Sequence, residues 1–195
     1  IALSDSDTDA IILRILDAKG DIIAEFDDVV GNVPTTKGVP KSDFEIQRKD
    51  GKPDIFVSHK DGSTPSGFSQ WGGTTQAAGK EIMNHPEVLG FAKDVRERIG
   101  VSSVGKDLFE FHYPSKISFG RKIKDDKLKK MAIFGKDYSP DAEGSRNNVD
   151  LVVQGNFTLT RAEAERTKDD KEIENVYILG ANHIAYRKNL KGDLL

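Results

Sequence analysis

The clearest pattern of apolar and polar positions lies between residues 41 and 60. Lys41–Gln47 and Asp54–Lys60 both alternate at every step, the period of a half-buried strand. Asp50-Gly51 lies between them, and Asp-Gly is the strongest short hairpin signal. With those two as loop residues, Phe44 faces Val57 and Ile46 faces Ile55, giving one apolar face. The other face carries Lys41, Asp43, Glu45, Phe56, Ser58 and Lys60. A slip of one residue would mix the two faces, so the register is well specified.

Helical periods are read elsewhere. Ser4–Leu16 is predicted as a helix, capped by Ser6 or Thr8, with an apolar stripe of Ile11, Ile12, Ile15 and Leu16 and with Gly20 past its end. Pro86–Ile99 is predicted as a second helix with Val88, Phe91, Ala92, Val95 and Ile99 on one face, and Pro86 suits its first position. Thr74–Met83 and the basic segment Asp125–Phe134 complete the helices. Asp21–Val30 reads equally as strand or helix, and Gly31–Pro40 reads as a loop. Strands are expected at Leu108–His112, Lys116–Phe119, Val149–Gln154, Asn156–Thr160 and Val176–Tyr186. The order gives an α/β fold of the mixed α+β kind around one sheet. Residues 1–105 would form its core. Residues 106–195 would form a β-rich continuation or a small second subdomain.

Composition narrows the function classes. The chain of 195 residues has no cysteine, which excludes a disulfide framework and a thiolate zinc site and favours a reducing compartment. No apolar run approaches the roughly 20 residues of a membrane helix, so a soluble, cytoplasmic protein without a membrane partner is expected. The chain opens on Ile1 rather than Met and lacks the regions of a signal peptide. A preceding removed segment or a fragment boundary is therefore expected, and the C-terminus reads as a truncation. The net charge of −3 is unevenly spread. Residues 1–30 carry Asp5, Asp7, Asp9, Asp17, Asp21, Glu25, Asp27 and Asp28 against Arg14 and Lys19. Residues 116–136 carry Lys116, Arg121, Lys122, Lys124, Lys127, Lys129, Lys130 and Lys136 against Asp125 and Asp126. An acidic total argues against whole-surface nucleic-acid binding but allows a local basic track.

The hairpin's polar face is the candidate chemistry. Asp43 opposes Ser58, with Cβ atoms about 4.5–5.5 Å apart in such a pair. Glu45 and Lys60 each lie two residues along the same face. Paired carboxylates hold a hard cation through oxygen while leaving water positions open. A nearby ammonium orients water or neutralises a phosphoryl oxygen. Lys41 facing Lys60 is unfavourable unless an anion or a carboxylate lies between them. The plain alternative is a solvated polar face.

Pro40-Lys41-Ser42-Asp43-Phe44-Glu45-Ile46, followed by Pro53-Asp54-Ile55-Phe56-Val57-Ser58-His59-Lys60, resembles the core of the PD-(D/E)xK, or restriction-endonuclease-like, nuclease superfamily. The resemblance covers about residues 5–100. It implies a central sheet flanked by helices, a helix before and after the hairpin, and a strand parallel to the second hairpin strand within about residues 100–120. It implies a metal-dependent endonuclease acting on DNA. Asp43 and Lys60 would be catalytic. Ser58 would bind a metal-bound water. Asp43 with Glu81 or Glu45 would hold Mg²⁺ or Mn²⁺. Ser58 stands where the family carries an acidic residue, which leaves the carboxylate to Glu81, Glu45 or Glu25, or else marks a site that has lost its metal. Lys41, Arg121, Lys122, Lys124, Lys129 and Lys130 would hold the phosphate backbone, and a homodimer is allowed. The wider run, with Asp61-Gly62 and Phe68-Ser69-Gln70-Trp71-Gly72-Gly73, resembles phage-encoded proteins. That likeness implies the host cytoplasm or a virion as the location, and a non-catalytic nucleic-acid-binding or virion-assembly module as the alternative.

Other features carry less. His59, His85, His112 and His183 lack ligand spacing, and His59 falls on the apolar face, where a histidine packs in the core or behind a site rather than acting as a base. Gly62–Gly73 lacks the Gly-Lys-Ser/Thr ending of a phosphate loop. Trp71 could stack on a base, although packing is its commoner use. Arg146-Asn147-Asn148 reads as a turn.

Overall fold

A computed structural model describes residues 11–35, 40–49, 51–62, 80–99, 122–162, 165–166, 172–173 and 175–188. The chain divides into two compact units, residues 1–70 with 133–195, and residues 71–132.

The first unit is built on strands β1 (Ile11–Leu16), β2 (Ile22–Pro34), β3 (Phe44–Arg48), β4 (Ile55–Lys60), β5 (Leu151–Arg161) and β8 (Val176–Tyr186). The short pair β6 (Glu165–Arg166) and β7 (Glu172–Ile173) forms a separate two-stranded sheet. The six long strands close into a barrel in the order β1-β2-β3-β4-β5-β8. Neighbours are antiparallel except β4 with β5 and β1 with β8, which are parallel. Closure gives the sheet one interior, and alternate residues of every strand fill it. Ile11, Leu13, Ile15, Phe26, Val29, Ile46, Ile55, Val57, Leu151, Val153, Leu179 and Ile184 form that core.

The hairpin is paired as its pattern requires: Phe44 opposes Val57, Glu45 opposes Phe56 and Ile46 opposes Ile55. Ile46, Ile55 and Val57 are buried and Phe44 is half-buried. Gly51 adopts φ +70°, the left-handed value its turn demands. Arg48 and Lys52 pair with Asp27, and Lys52 also with Asp28, tying the hairpin end to β2. Arg14 pairs with Glu25 at 2.6 Å, so part of the acidic N-terminal excess is neutralised locally.

Several expectations are corrected. Residues 11–16 of the expected helix Ser4–Leu16 are strand β1; residues 4–10 lie outside the described residues. Ile11, Ile12, Ile15 and Leu16 fit a helical stripe, but Ile11, Leu13 and Ile15 also fit a period of two. Pairing with β2 and β8 decides between them, as tertiary context overrides a local preference. The ambiguous segment and the start of the expected loop are one strand, β2, which runs on through Gly31 to Pro34. The strands expected at 149–154 and 156–160 are one strand, β5, whose register shifts between Gln154 and Phe157. Gly155 at φ +79° allows that shift. The expected strands at 108–112 and 116–119, and the expected break near 100–106, lie outside the described residues. The strand parallel to β4 is β5 at 151–161.

The second unit holds α1 (Lys80–Met83), α2 (Pro86–Ile99) and most of α3 (Asp126–Phe134). Of the expected helix 74–83, only the last turn falls among the described residues. Asp125 caps α3, its Oδ1 accepting the Leu128 N–H at 2.7 Å. Glu87 accepts the backbone N–H groups of Lys124 and Asp125 at 2.8 and 2.7 Å, fixing the entry to that helix. Mixed α+β architecture is thus observed. No helix among the described residues is long and apolar enough to cross a membrane.

The strand assignment at 11–16 is testable. Leu13 is outside the helical stripe but inside the barrel, at 3 % exposure. Leu13→Ala should cost about 2–5 kcal/mol in chemical denaturation, and Leu16→Ala, only half-buried, clearly less. The opposite ranking would restore the helix.

Candidate functional site on the outer face of the hairpin

Residues that point away from the barrel interior on β3, β4, β5 and β8 share one outer face. The segment leading into β5 crosses part of it. The carbonyl of Arg146 accepts the N–H groups of Lys41 and Ser42, both at 2.9 Å. Asp150 N–H donates to the Phe56 carbonyl at 2.9 Å, and Phe56 N–H donates to Asp150 Oδ2 at 3.1 Å. Arg187, 1 % exposed, donates to Asp150 Oδ1 and to the Glu143 carbonyl, each at 2.9 Å. Burial pushes the Asp150 carboxyl up, against the Phe56 N–H and the Arg187 charge, which pull it down. Gly144 lies so close that a Cβ there would be 1.7 Å from Asp150 Oδ2.

This cover sorts the polar residues of the hairpin. Glu45 is buried, and its Oε1 accepts from Arg146 Nε at 2.7 Å and Thr35 Oγ1 at 3.3 Å. The turn residue Arg146, passed over in the sequence, therefore holds the carboxylate expected as a second ligand. Ser58 is also buried, and Phe56 is half-buried, so the supposedly solvated face is largely covered. Asp43 and Lys60 stay exposed. Asp43 Oδ2 accepts the His59 N–H at 2.6 Å and the Ser58 hydroxyl at 3.2 Å, so the carboxylate is fixed across the strand pair. His59 itself packs edge-on against Phe157 and its Nε2 lies 2.9 Å from the Gly155 carbonyl, a packing position.

Lys41 completes the cluster. Burial first, and the positive charge of Lys60 second, hold its ammonium down to about 8, while Asp43 pulls the other way. Two ammonium groups and one carboxylate leave the site net positive.

The remaining sequence candidates have other partners or belong to the second unit. Glu25 pairs with Arg14 between β1 and β2. Glu81 belongs to the second unit, where Lys127 pairs with it and holds its carboxyl below the usual range. Lys122, Lys124, Lys129 and Lys130 also lie in the second unit. Lys124 and Lys122 are exposed, and Lys129 pairs with Asp126 at 3.2 Å. Arg121 lies outside the described residues. Among the described residues, no cluster of three His, Asp or Glu side chains is placed to hold a metal.

Two features were missed by sequence reasoning. A cavity of about 390 Å³ opens beside Asp43, lined by apolar barrel side chains including Leu13, Phe44, Phe157 and Leu179. Gln154 lies beside Lys60 in the parallel β4–β5 register, fully buried, with neither carboxamide atom bonded to a described residue. An unpaired buried polar group costs about 1–3 kcal/mol. The only sequence signal was a polar residue ending the apolar run Leu151-Val152-Val153.

The Lys41 electrostatics give a sign. A lysine depressed in the fold keeps its proton longer in the unfolded chain, so stability due to this residue rises with pH between about 8 and 10.5. Lys41→Met should therefore melt higher than the parent at pH 7, with the gap narrowing as pH rises through that window. Melting curves across pH check it; a constant gap would deny the shift.

Comparison with family models, with curated proteins and with solved structures finds no match to this chain.

Proposed function

We propose that the chain is a metal-dependent endonuclease that hydrolyses DNA phosphodiester bonds at the outer face of β3 and β4. The observation that carries this reading is the placement of Asp43, Ser58 and Lys60 on one face, with the Asp43 carboxylate anchored to Ser58 and His59. The strand order adds support. A helix-bearing connection followed by β5 parallel to β4 is in keeping with the parallel strand the resemblance implies, although it lies at 151–161 rather than 100–120 and strand β2, not a helix, leads into the hairpin. Closure by β1 and β8 departs from the open sheet that resemblance implies.

The donor set bears on the metal. Mg²⁺ keeps several waters and is commonly bound by one or two carboxylates together with substrate phosphates. One exposed carboxylate fits a magnesium ion that shares its shell with a phosphodiester, and not an all-protein cage. Asp43 would hold it, with Ser58 and His59 N–H keeping the carboxylate oriented. When bound, such an ion lowers the pKa of a water and neutralises developing negative charge. Lys60, exposed two residues from Ser58, orients the attacking water or neutralises a phosphoryl oxygen. Lys41 adds a second positive charge to the same face. Lys122, Lys124, Lys129 and Lys130 are proposed to contact the DNA backbone.

A specific observation favours a second reading, a non-catalytic nucleic-acid-binding module with the same fold. Glu45, the nearest candidate for a second ligand, is held by Arg146 and Thr35. A site with one carboxylate and two ammonium groups binds phosphate without needing to hydrolyse it.

One assay separates them. The purified chain should nick supercoiled plasmid, or cut linear duplex or single strands, only with Mg²⁺ or Mn²⁺. Asp43→Ala and Lys60→Ala should each abolish this; exposed Lys60→Ala should shift stability by less than about 1 kcal/mol, and Asp43→Ala, which takes the acceptor from the His59 N–H and the buried Ser58 hydroxyl, should cost about 1–3 kcal/mol. Cutting that survives chelator and both substitutions would point to a contaminant. Salt-sensitive DNA binding without cutting would replace the enzyme by the binding module.

A further inference from the structure

Gln154 is a residue of the outer face whose chemistry the proposed reaction does not use. It is 0 % exposed, and neither its Nε2 nor its Oε1 bonds to a described residue. Buried side-chain amides are nearly always bonded, so an orphaned one calls for a physical reason. Its surroundings are specific. In the parallel register it stands beside Lys60, and in the antiparallel register it opposes His183 on β8. Two glycines with left-handed backbones close over it. Gly62, at φ +110°, would place a Cβ 3.4 Å from the carboxamide nitrogen. Gly155, at φ +79°, would place one 2.7 Å from Asn182 Oδ1 and 2.9 Å from the Gly62 carbonyl. The turn that follows Lys60 therefore packs directly on Gln154.

The charges around Lys60 say what the amide is for. Lys41 and Lys60 repel each other across the strand pair, and Asp43 attracts the Lys41 ammonium from the β3 side. Asp61 follows Lys60 in the chain, and His183 lies beyond Gln154. An ammonium has three donors and no acceptor. The neighbouring amide oxygen is an acceptor with no partner among the described residues. We propose that Gln154 is a positioning residue of this site: its carboxamide oxygen is the partner that holds the Lys60 ammonium in working orientation. The two side chains are not bonded in this structure, and the proposed contact requires Lys60 to take another rotamer. Gln154 contacts no substrate and acts only through Lys60. This inference rests on the endonuclease reading for its kinetic consequence, but the contact itself is measurable without DNA or metal.

The test uses the full chain with Gln154→Met, which keeps the shape and removes the amide, and Gln154→Glu, which keeps an acceptor oxygen. In metal-activated cleavage, Gln154→Met should lower kcat by about tenfold to a hundredfold with KM little changed. Gln154→Glu should retain most of kcat. Melting temperature should change little in Gln154→Met, because the bond lost to Lys60 is offset by the polar group removed from the interior. In the metal-free protein, acetylation of Lys60 by acetic anhydride, followed by peptide mass spectrometry, should run severalfold faster in Gln154→Met than in the parent. A large fall in melting temperature in Gln154→Met would overturn the proposal, showing an amide satisfied by structural water. Unchanged Lys60 acetylation would also overturn it, as would an unchanged kcat in a chain that cuts. If the parent cuts nothing, the endonuclease reading fails by itself. Acetylation then decides this inference alone: a faster reaction upholds the contact and an equal rate removes it.

Discussion

A closed sheet has only one inside. Once β1 and β8 pair and complete the ring, each of the six strands must give alternate side chains to a shared interior and the rest to a shared exterior. Every other feature of the first unit follows from that partition. Ile11, Leu13 and Ile15 become core because they alternate. Asp43, Ser58 and Lys60 share a face because the β3–β4 register admits no slip that keeps Phe44, Ile46, Ile55 and Val57 together. The parallel contact between β4 and β5 then sets Gln154 beside Lys60 and Val152 beside Ser58. Residues nearly a hundred positions apart meet through backbone hydrogen bonding, before any side chain is considered.

The exterior is itself divided by the segment that precedes β5. Its backbone is tied to Lys41, Ser42 and Phe56, and its buried Arg187–Asp150 pair is enclosed by close packing at Gly144. Removing one partner of such a pair leaves an uncompensated charge in the interior, so the cover is energetically committed to its place. That commitment decides which polar groups remain available. Glu45 is consumed by Arg146, whereas Asp43 keeps an exposed carboxylate steadied by a backbone N–H and a hydroxyl. The outcome is a site with more positive than negative charge, suited to a phosphate and sparing in metal ligands.

The second unit answers to local rules. Pro86 opens α2, Asp125 caps α3, and Glu87 bonds the chain entering that helix. Its acidic and basic side chains pair with one another, as Glu81 does with Lys127 and Asp126 with Lys129. The basic run of this region is therefore partly neutralised, with Lys122 and Lys124 the exposed members proposed to meet DNA.

The sequence by itself determined what depends on neighbours a few residues apart. The hairpin register follows from alternation and from Asp50-Gly51. Helices α2 and α3 follow from their period and capping residues, and the cross-strand contact of Asp43 with Ser58 follows from the register. Only the tertiary structure decided what depends on distant strands. Ile11–Leu16 carries both a helical and a strand period, and its energy is settled by partners on β2 and β8. Glu45 reads as a free carboxylate until Arg146, about a hundred residues later, is folded against it. Gln154 reads as an ordinary end to an apolar run until β5 pairs with β4. Long-range pairing has no local signature in a chain, because its hydrogen bonds are made by backbone groups that every residue carries.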